Sequence, residues 1–188
     1  NIKAAFNLQA NFKGTATDYE VQSEITRGVA VYDDEAYQLG DLSVNAFVKP
    51  DTTSVDIQNR ILELDLESNT SPGRFLSAVQ NHFRRYLDTN PNMDTIADPV
   101  VIRVRGTVHE APILNEVFVP NLRQLDTVQI AINFDELKRD LNADINLPYI
   151  NYNGYTIDSL AFTVNSDAEH LNFDFGLKEL IYLIRVIW

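Results

Sequence analysis

One strand pattern occurs twice in this chain, and it constrains the fold more than any other feature. Alternate positions are apolar in both copies: Tyr37, Leu39, Leu42, Val44 and Ala46 in the first, and Tyr155, Ile157, Leu160, Phe162 and Val164, 118 residues later, in the second. A period of two is typical of a strand with one apolar face. Each copy breaks this period by one residue, at Gly40-Asp41 and at Asp158-Ser159, which predicts a bulge that resets the face. The repetition predicts an elongated β architecture built from similar hairpins.

The same alternation extends along most of the chain. It is uninterrupted over residues 2–12, and it returns over 128–134 and 141–147, on either side of a charged turn. Asn153-Gly154 then provides a strong signal for a two-residue hairpin turn. The sequence therefore predicts a mainly β fold of antiparallel strands.

Two segments depart from the strand period. Ser71-Pro72 is typical of an N-cap followed by proline at the first helical position, and the spacing that follows predicts an amphipathic helix at about 72–88. The apolar face of this helix carries Phe75, Val79, Phe83 and Tyr86. We expect that face to pack on the sheet or to close one end of it; binding of a partner is the alternative. A short helix is predicted near 112–118.

Composition limits the classes of partner. The 188 residues include 27 acidic and 15 basic side chains, for a net charge of −12. This balance excludes nucleic acid as an expected partner, because phosphate binding needs concentrated Lys and Arg. It also disfavours docking to anionic lipid headgroups. Because the chain has no cysteine, disulfides and thiolate zinc sites are excluded.

The chain begins at Asn1 within an alternating strand, which favours an internal segment of a longer protein. We expect any export signal or membrane anchor to lie outside it. The 188 residues are interpreted as a single β segment, 1–188, with a weak possible subdivision into 1–97 and 98–188.

No catalytic motif is present, and we expect neither an enzyme nor a cofactor. The chain lacks a phosphate-binding glycine loop, a zinc-protease motif and a nucleophile elbow. Its three histidines, His82, His109 and His170, are expected at the surface and not in a metal site. Acidic pairs such as Asp33-Asp34 are interpreted as solvated turns, because neighbouring residues on a strand point to opposite faces.

A series of short motifs over residues 112–177, about a third of the chain, resembles the AsmA/TamB family of Gram-negative envelope proteins, in particular its Bacteroidota members. The motifs occur in this order: Pro112-Ile113-Leu114, Phe118-Val119-Pro120-Asn121-Leu122, Leu125, Ile132-Asn133-Phe134-Asp135, Leu147-Pro148-Tyr149-Ile150-Asn151-Tyr152, Ile157-Asp158-Ser159-Leu160, Asn165-Ser166-Asp167 and Leu171-Asn172-Phe173.

The resemblance implies a periplasmic protein that is anchored in the inner membrane by a helix outside this segment. It implies a curved antiparallel sheet, a "β-taco", with an open apolar groove. Members of the family are implicated in moving phospholipids toward the outer membrane and, with an outer-membrane partner of the TamA or BamA type, in assembling outer-membrane proteins. The resemblance thus implies phospholipid acyl chains as partners, and an outer-membrane protein of this type as a further one.

Thirteen apolar residues are the candidate lining of this groove, because each alternates with polar residues that would face outward. They are Phe6, Leu8, Phe12, Val44, Ile130, Ile132, Phe134, Ile145, Leu147, Phe162, Val164, Phe173 and Phe175. The same residues could instead form the core of a closed sandwich or of a lipocalin-like ligand-binding barrel. A third alternative is a scaffold whose strand edges pair with client strands, in which the apolar tail from Leu180 to Trp188 would be an edge.

Overall fold

The computed structural model describes residues 2–88, 96–167 and 169–177, and the backbone of 180–186. The chain is mainly β, as predicted, and its twelve described strands belong to one antiparallel sheet. The strands are β1 (Ile2–Gly14), β2 (Tyr19–Tyr32), β3 (Glu35–Lys49), β4 (Thr52–Asn59), β5 (Leu62–Ser68), β6 (Val101–Val108), β7 (Leu122–Leu125), β8 (Val128–Asp135), β9 (Asp140–Tyr152), β10 (Tyr155–Ser166), β11 (Leu171–Leu177) and β12 (Leu180–Val186).

Strand order follows chain order, with one exception. The sheet runs β1-β2-β3-β4-β5-β6-β8-β9-β10-β11-β12, and β7 attaches to β9. Within the described ranges, β1 pairs with β2 alone and β12 with β11 alone, so the sheet is open. A closed barrel would need its first and last strands to pair, and no second sheet packs on this one in the described part of the chain. The sheet is continuous across the possible boundary at residue 97, because β5 pairs with β6.

Both repeat copies have a left-handed residue at the predicted break, and a bulge accompanies the first. Gly40 in β3 has φ +75° and Ser159 in β10 has φ +55°, the left-handed region that turns a strand over by one residue. A bulge in β2 lies opposite the first break, where Arg27 also has a positive φ of 54°. In the first copy β2 has one more residue than β1 across this bulge, which shifts the face; in the second copy Ser159 has the positive φ, and β10 keeps one register with β9 on both sides of it.

The two predicted helices are also present. Helix α1 (Pro72–Leu87) begins after Ser71 in an extended N-cap conformation, with proline in its first turn. The short helix is a π-helical segment, Leu114–Phe118. It belongs to residues 110–118, called the strap here, in the connection between β6 and β7. The predicted tail strand is present as the backbone of β12, while residues 187 and 188 lie outside the described residues.

We expect Gly40→Ala to lower the free energy of unfolding by about 1–2 kcal/mol, the cost of a positive φ for a residue with a Cβ. The added Cβ would also lie 3.2 Å from Cδ of Arg60. Gly73→Ala is the matched control, because a Cβ there meets nothing within 4 Å and alanine favours the helix. Urea titration followed by circular dichroism measures both variants, and equal stability of the two would contradict the account of the break.

Candidate functional site

All thirteen predicted lining residues lie on one face of the sheet. Directly paired residues of antiparallel strands share a face, and the register links Phe162 both to Ile145 and to Phe175, and Val44 to Ile57. Phe6, Leu8 and Phe12 occupy alternate positions of β1 on the same face as Val44, through the pairing of β1 with β2 and of β2 with β3. We call this the apolar face.

The opposite face is polar from one side of the sheet to the other. One cross-strand row shows this: Asn11, Gln22, Asn45, Asp56, Asp65, Arg105, Ala131, Asp144, Thr163 and Asp174. The sheet is therefore amphipathic, and water solvates its polar face. Its apolar face must either be covered or offer an apolar surface to a ligand.

One row of the apolar face is completely covered. This buried row consists of Val48, Thr53, Ser68, Ile102, Phe134, Leu141, Ser166 and Leu171, all of which are buried. Helix α1 packs over the part of this row that lies on β6 and β8–β11, through Ala78 and Tyr86 and the partly buried Phe75, Val79 and Phe83. The predicted packing of the helix on the sheet is confirmed. The basic residues Arg74 and Arg84 lie exposed.

His82 lies in this interface, and its predicted place at the surface is wrong. Its side chain is 6% exposed, its ring meets the ring of Phe134 edge-on at a centroid distance of 5.2 Å, and its Nε2 lies 2.9 Å from Oγ of Ser166. Burial lowers the pKa of His82 to about 4, with a further lowering by Arg85 and an opposing effect of Asp140. The imidazole is therefore neutral at pH 7.

The strap covers a different part of the apolar face. Ala111 and Ile113 are buried against Ala30 and Tyr37 of the β2–β3 hairpin. The hydroxyl of Tyr37 donates a hydrogen bond to a carboxylate oxygen of Glu116 at 2.7 Å. These two carboxylates, Glu116 and the nearby Glu35, together with burial raise the pKa of Tyr37. The strap is thus held by apolar packing and by one partly buried hydrogen bond.

Between these covers lies a row in which no residue is fully buried, which we call the open row. Its members are Ala10, Ser23, Val44, Ile57, Leu64, Gly106, Ile130, Ile145, Phe162 and Phe175, each paired with the next. Ala10, Ile145 and Phe175 are exposed and the others are partly buried. With strands spaced about 4.8 Å apart, ten strands give a track of roughly 43 Å.

The predicted lining residues divide between the rows. Five belong to the open row: Val44, Ile130, Ile145, Phe162 and Phe175. The row between the open row and the buried row contains Phe12, Ile132, Val164 and Phe173. Val164 is buried among the residues that pack beneath α1. Phe134 lies in the buried row, 1% exposed. Leu8 pairs with Ile25 and Leu147 with Leu160, beyond the open row, and Phe6 lies opposite the bulge in β2.

The sequence-based set omitted the centre of the open row. Ile57 and Leu64 pair with each other and join the two groups of predicted residues. Both alternate visibly with polar neighbours, in Val55-x-Ile57 and in Leu62-x-Leu64-x-Leu66. The signal was present, but their place in the row depends on the register of the β4–β5 turn.

The chemistry available to this face is apolar contact. Among the described residues, no group of three or more His, Asp or Glu side chains is arranged to hold a metal ion. The open row has one hydroxyl, on Ser23, and no charged side chain. A surface of this kind offers apolar contact without directional bonds, which suits hydrocarbon better than a compact polar ligand.

Comparison with protein-family models, with curated proteins and with solved structures gives no match to this chain. No helix in the described ranges has the length and apolar content needed to cross a membrane.

Proposed function

We propose that this chain is a segment of a bridge-like envelope protein of the AsmA/TamB type, in which the open row shields the acyl chains of phospholipids as they move between the inner and outer membranes. The observation that carries the proposal is the continuity of the open row across ten strands of one open sheet. The resemblance of residues 112–177 to that family supports the same function and a periplasmic location.

The energetics favour a conduit over a tight binding site. Each methylene of an acyl chain gains about 0.8 kcal/mol when it leaves water. Ile57, Leu64, Ile130 and Ile145 offer similar apolar contacts on four strands of the row. Gly106 of β6 lies between Leu64 and Ile130, and the Leu64 side chain reaches over it, since a Cβ there would lie 3.3 Å from Cδ1 of Leu64. An acyl chain therefore moves along the row with little change in free energy. The headgroup remains in water beside the sheet and needs no charged residue to hold it.

Site-specific photo-crosslinking tests the proposal directly. With the crosslinker at Ile57 or Ile145 of the open row, we expect covalent phospholipid adducts when the protein is made in a Gram-negative cell. At Asp56 and Asp144, their neighbours on the polar face, we expect none. Adducts at the polar positions alone would overturn the assignment of the faces, and absence of adducts everywhere would overturn lipid binding.

Ile145→Asp should reduce the phospholipid that co-purifies with the protein at least about tenfold, because an unpaired charge beside hydrocarbon costs several kcal/mol. Asn146→Asp is the matched control: it adds the same charge one residue away on the polar face, and both positions are exposed. Lipid extraction followed by mass spectrometry measures the yield. Equal losses in both variants would contradict a lipid track on the apolar face. Ile132 and Phe162 are less suitable positions for this substitution, because both pack against the buried residues beneath α1.

A strand-pairing scaffold for outer-membrane proteins is the second candidate, and β1 favours it. This strand is thirteen residues long, all of its residues are exposed, and its only described partner is β2. Such an edge can pair with an extended client. Lipid-free protein that binds unfolded outer-membrane strands, and loses that binding when proline replaces Gln9 in β1, would favour the scaffold over the conduit.

A further inference from the structure

The two copies of the repeated strand are covered differently. In the first copy the strap lies on Tyr37 and Leu39, so that Tyr37 is only 8% exposed. In the second copy the corresponding residues are uncovered: Tyr155 is 76% exposed and Ile157 is 38% exposed. Tyr152, which pairs with Tyr155, is 46% exposed. An exposed cluster of large apolar side chains is a common sign of an interaction surface.

The backbone around the two sites is similar. A two-residue turn with positive φ precedes each, formed by Asp33 (49°) and Asp34 (66°) in the first copy and by Asn153 (52°) and Gly154 (85°) in the second. A residue with positive φ then follows each in its strand, at Gly40 and at Ser159. Each site is therefore a short apolar stretch of strand between a tight turn and a break, with a tyrosine hydroxyl available as a donor.

The strap shows which chemistry fits such a site. Ala111 and Ile113 supply two buried apolar side chains, and Glu116 supplies the carboxylate that accepts the hydrogen bond from Tyr37. Residues 110–121 include two glutamates and no basic residue. At the second site a guanidinium is close by, since a Cβ on Gly154 would lie 3.6 Å from Nη1 of Arg123. Arg123 is thus the cationic neighbour that the carboxylate of a bound segment would have at the turn of this site, while Asp158 follows Ile157 on the strand.

We propose that Tyr152, Tyr155 and Ile157 form a docking site for a short, acidic, helical peptide segment with the chemistry of the strap: two aliphatic side chains and a carboxylate that accepts a hydrogen bond from Tyr155. The segment comes from a partner polypeptide. This inference depends on the comparison of the two repeat copies and is independent of lipid binding.

The strap itself is the probe. A synthetic peptide of residues 108–121, with both ends blocked, is added to protein labelled at the isoleucine methyl groups. We expect the methyl resonances of Ile150 and Ile157 to shift in nuclear magnetic resonance spectra, and those of Ile57 and Ile145 in the open row to stay unchanged. Shifts confined to Ile61, beneath the native strap, would mean exchange at the first site and would overturn the proposal, as would the absence of shifts at millimolar peptide.

Two protein variants separate this proposal from lipid binding. Ile157→Asp should weaken peptide binding at least about tenfold, because one aliphatic contact and the local charge balance are lost, and should leave co-purified phospholipid unchanged. Ile145→Asp should do the reverse. A Glu116→Gln peptide should bind several-fold more weakly, since a neutral acceptor replaces a carboxylate. Unchanged affinity for Ile157→Asp would rule out the site.

Discussion

Phe134→Ala should lower the free energy of unfolding by about 3–5 kcal/mol, the usual cost of removing a fully buried aromatic ring. The side chain is 1% exposed. It lies between Ile102 and Leu141 in the buried row and contacts the ring of His82 beneath α1. Loss of the ring leaves a cavity between α1 and the sheet, and both elements lose packing contacts there.

Phe12→Ala is the matched control for this prediction. Phe12 lies on the same face but is 63% exposed, and among the described residues its ring stacks on Tyr19. We expect its loss to cost no more than about 1 kcal/mol. Urea-induced unfolding of both variants, followed by circular dichroism, measures the difference. If the two variants lost the same stability, the core would not be centred beneath α1.

Lowering the pH from 8 to 4 should destabilise the protein by about 3 kcal/mol through His82 alone, and by roughly 2 kcal/mol already at pH 5. The folded pKa of about 4 lies below the unfolded value of 6.5. The unfolded state therefore binds the proton first, and stability falls as the pH falls through this window. At pH 8 both states are neutral and the effect disappears.

Comparison with His82→Gln isolates this effect. The glutamine at position 82 does not titrate. The free energy of unfolding of the variant should therefore change less between pH 7 and pH 5, even if its absolute stability is lower. Asp135 and Asp167 also have lowered pKa values, because both accept hydrogen bonds in the fold. Their contribution is lost only as the pH falls through about 3.8, below this window. Parallel pH profiles of the two proteins would contradict the buried neutral imidazole.

The faces of the strands could be read from the sequence because alternation is a local property. A residue two positions along a strand returns to the same side whatever the tertiary structure. For that reason the register brings residues as distant as Phe12 and Phe175 onto one face. The breaks at Gly40 and Ser159 were detectable for the same reason, since each shifts the pattern by one residue.

The position of α1 could not be read in this way. Phe134 and Val164 alternate with polar residues just as Ile130 and Phe162 do, but the helix covers the first pair more fully than the second. Which part of an apolar face a helix covers depends on packing between distant segments. His82 is different, because it lies four residues before Tyr86 on the same side of the helix, and this spacing indicates burial.

The open row runs across the strands and not along them, so its length is a matter of how many hairpins the chain contains. Each further hairpin adds two strands and lengthens the row by about 10 Å, and it leaves the pairing of the other strands unchanged. Removing a single strand, by contrast, would make its two neighbours parallel and demand a long crossover connection. A sheet built on this plan can be lengthened by duplicating hairpins, without redesigning any residue already in the row.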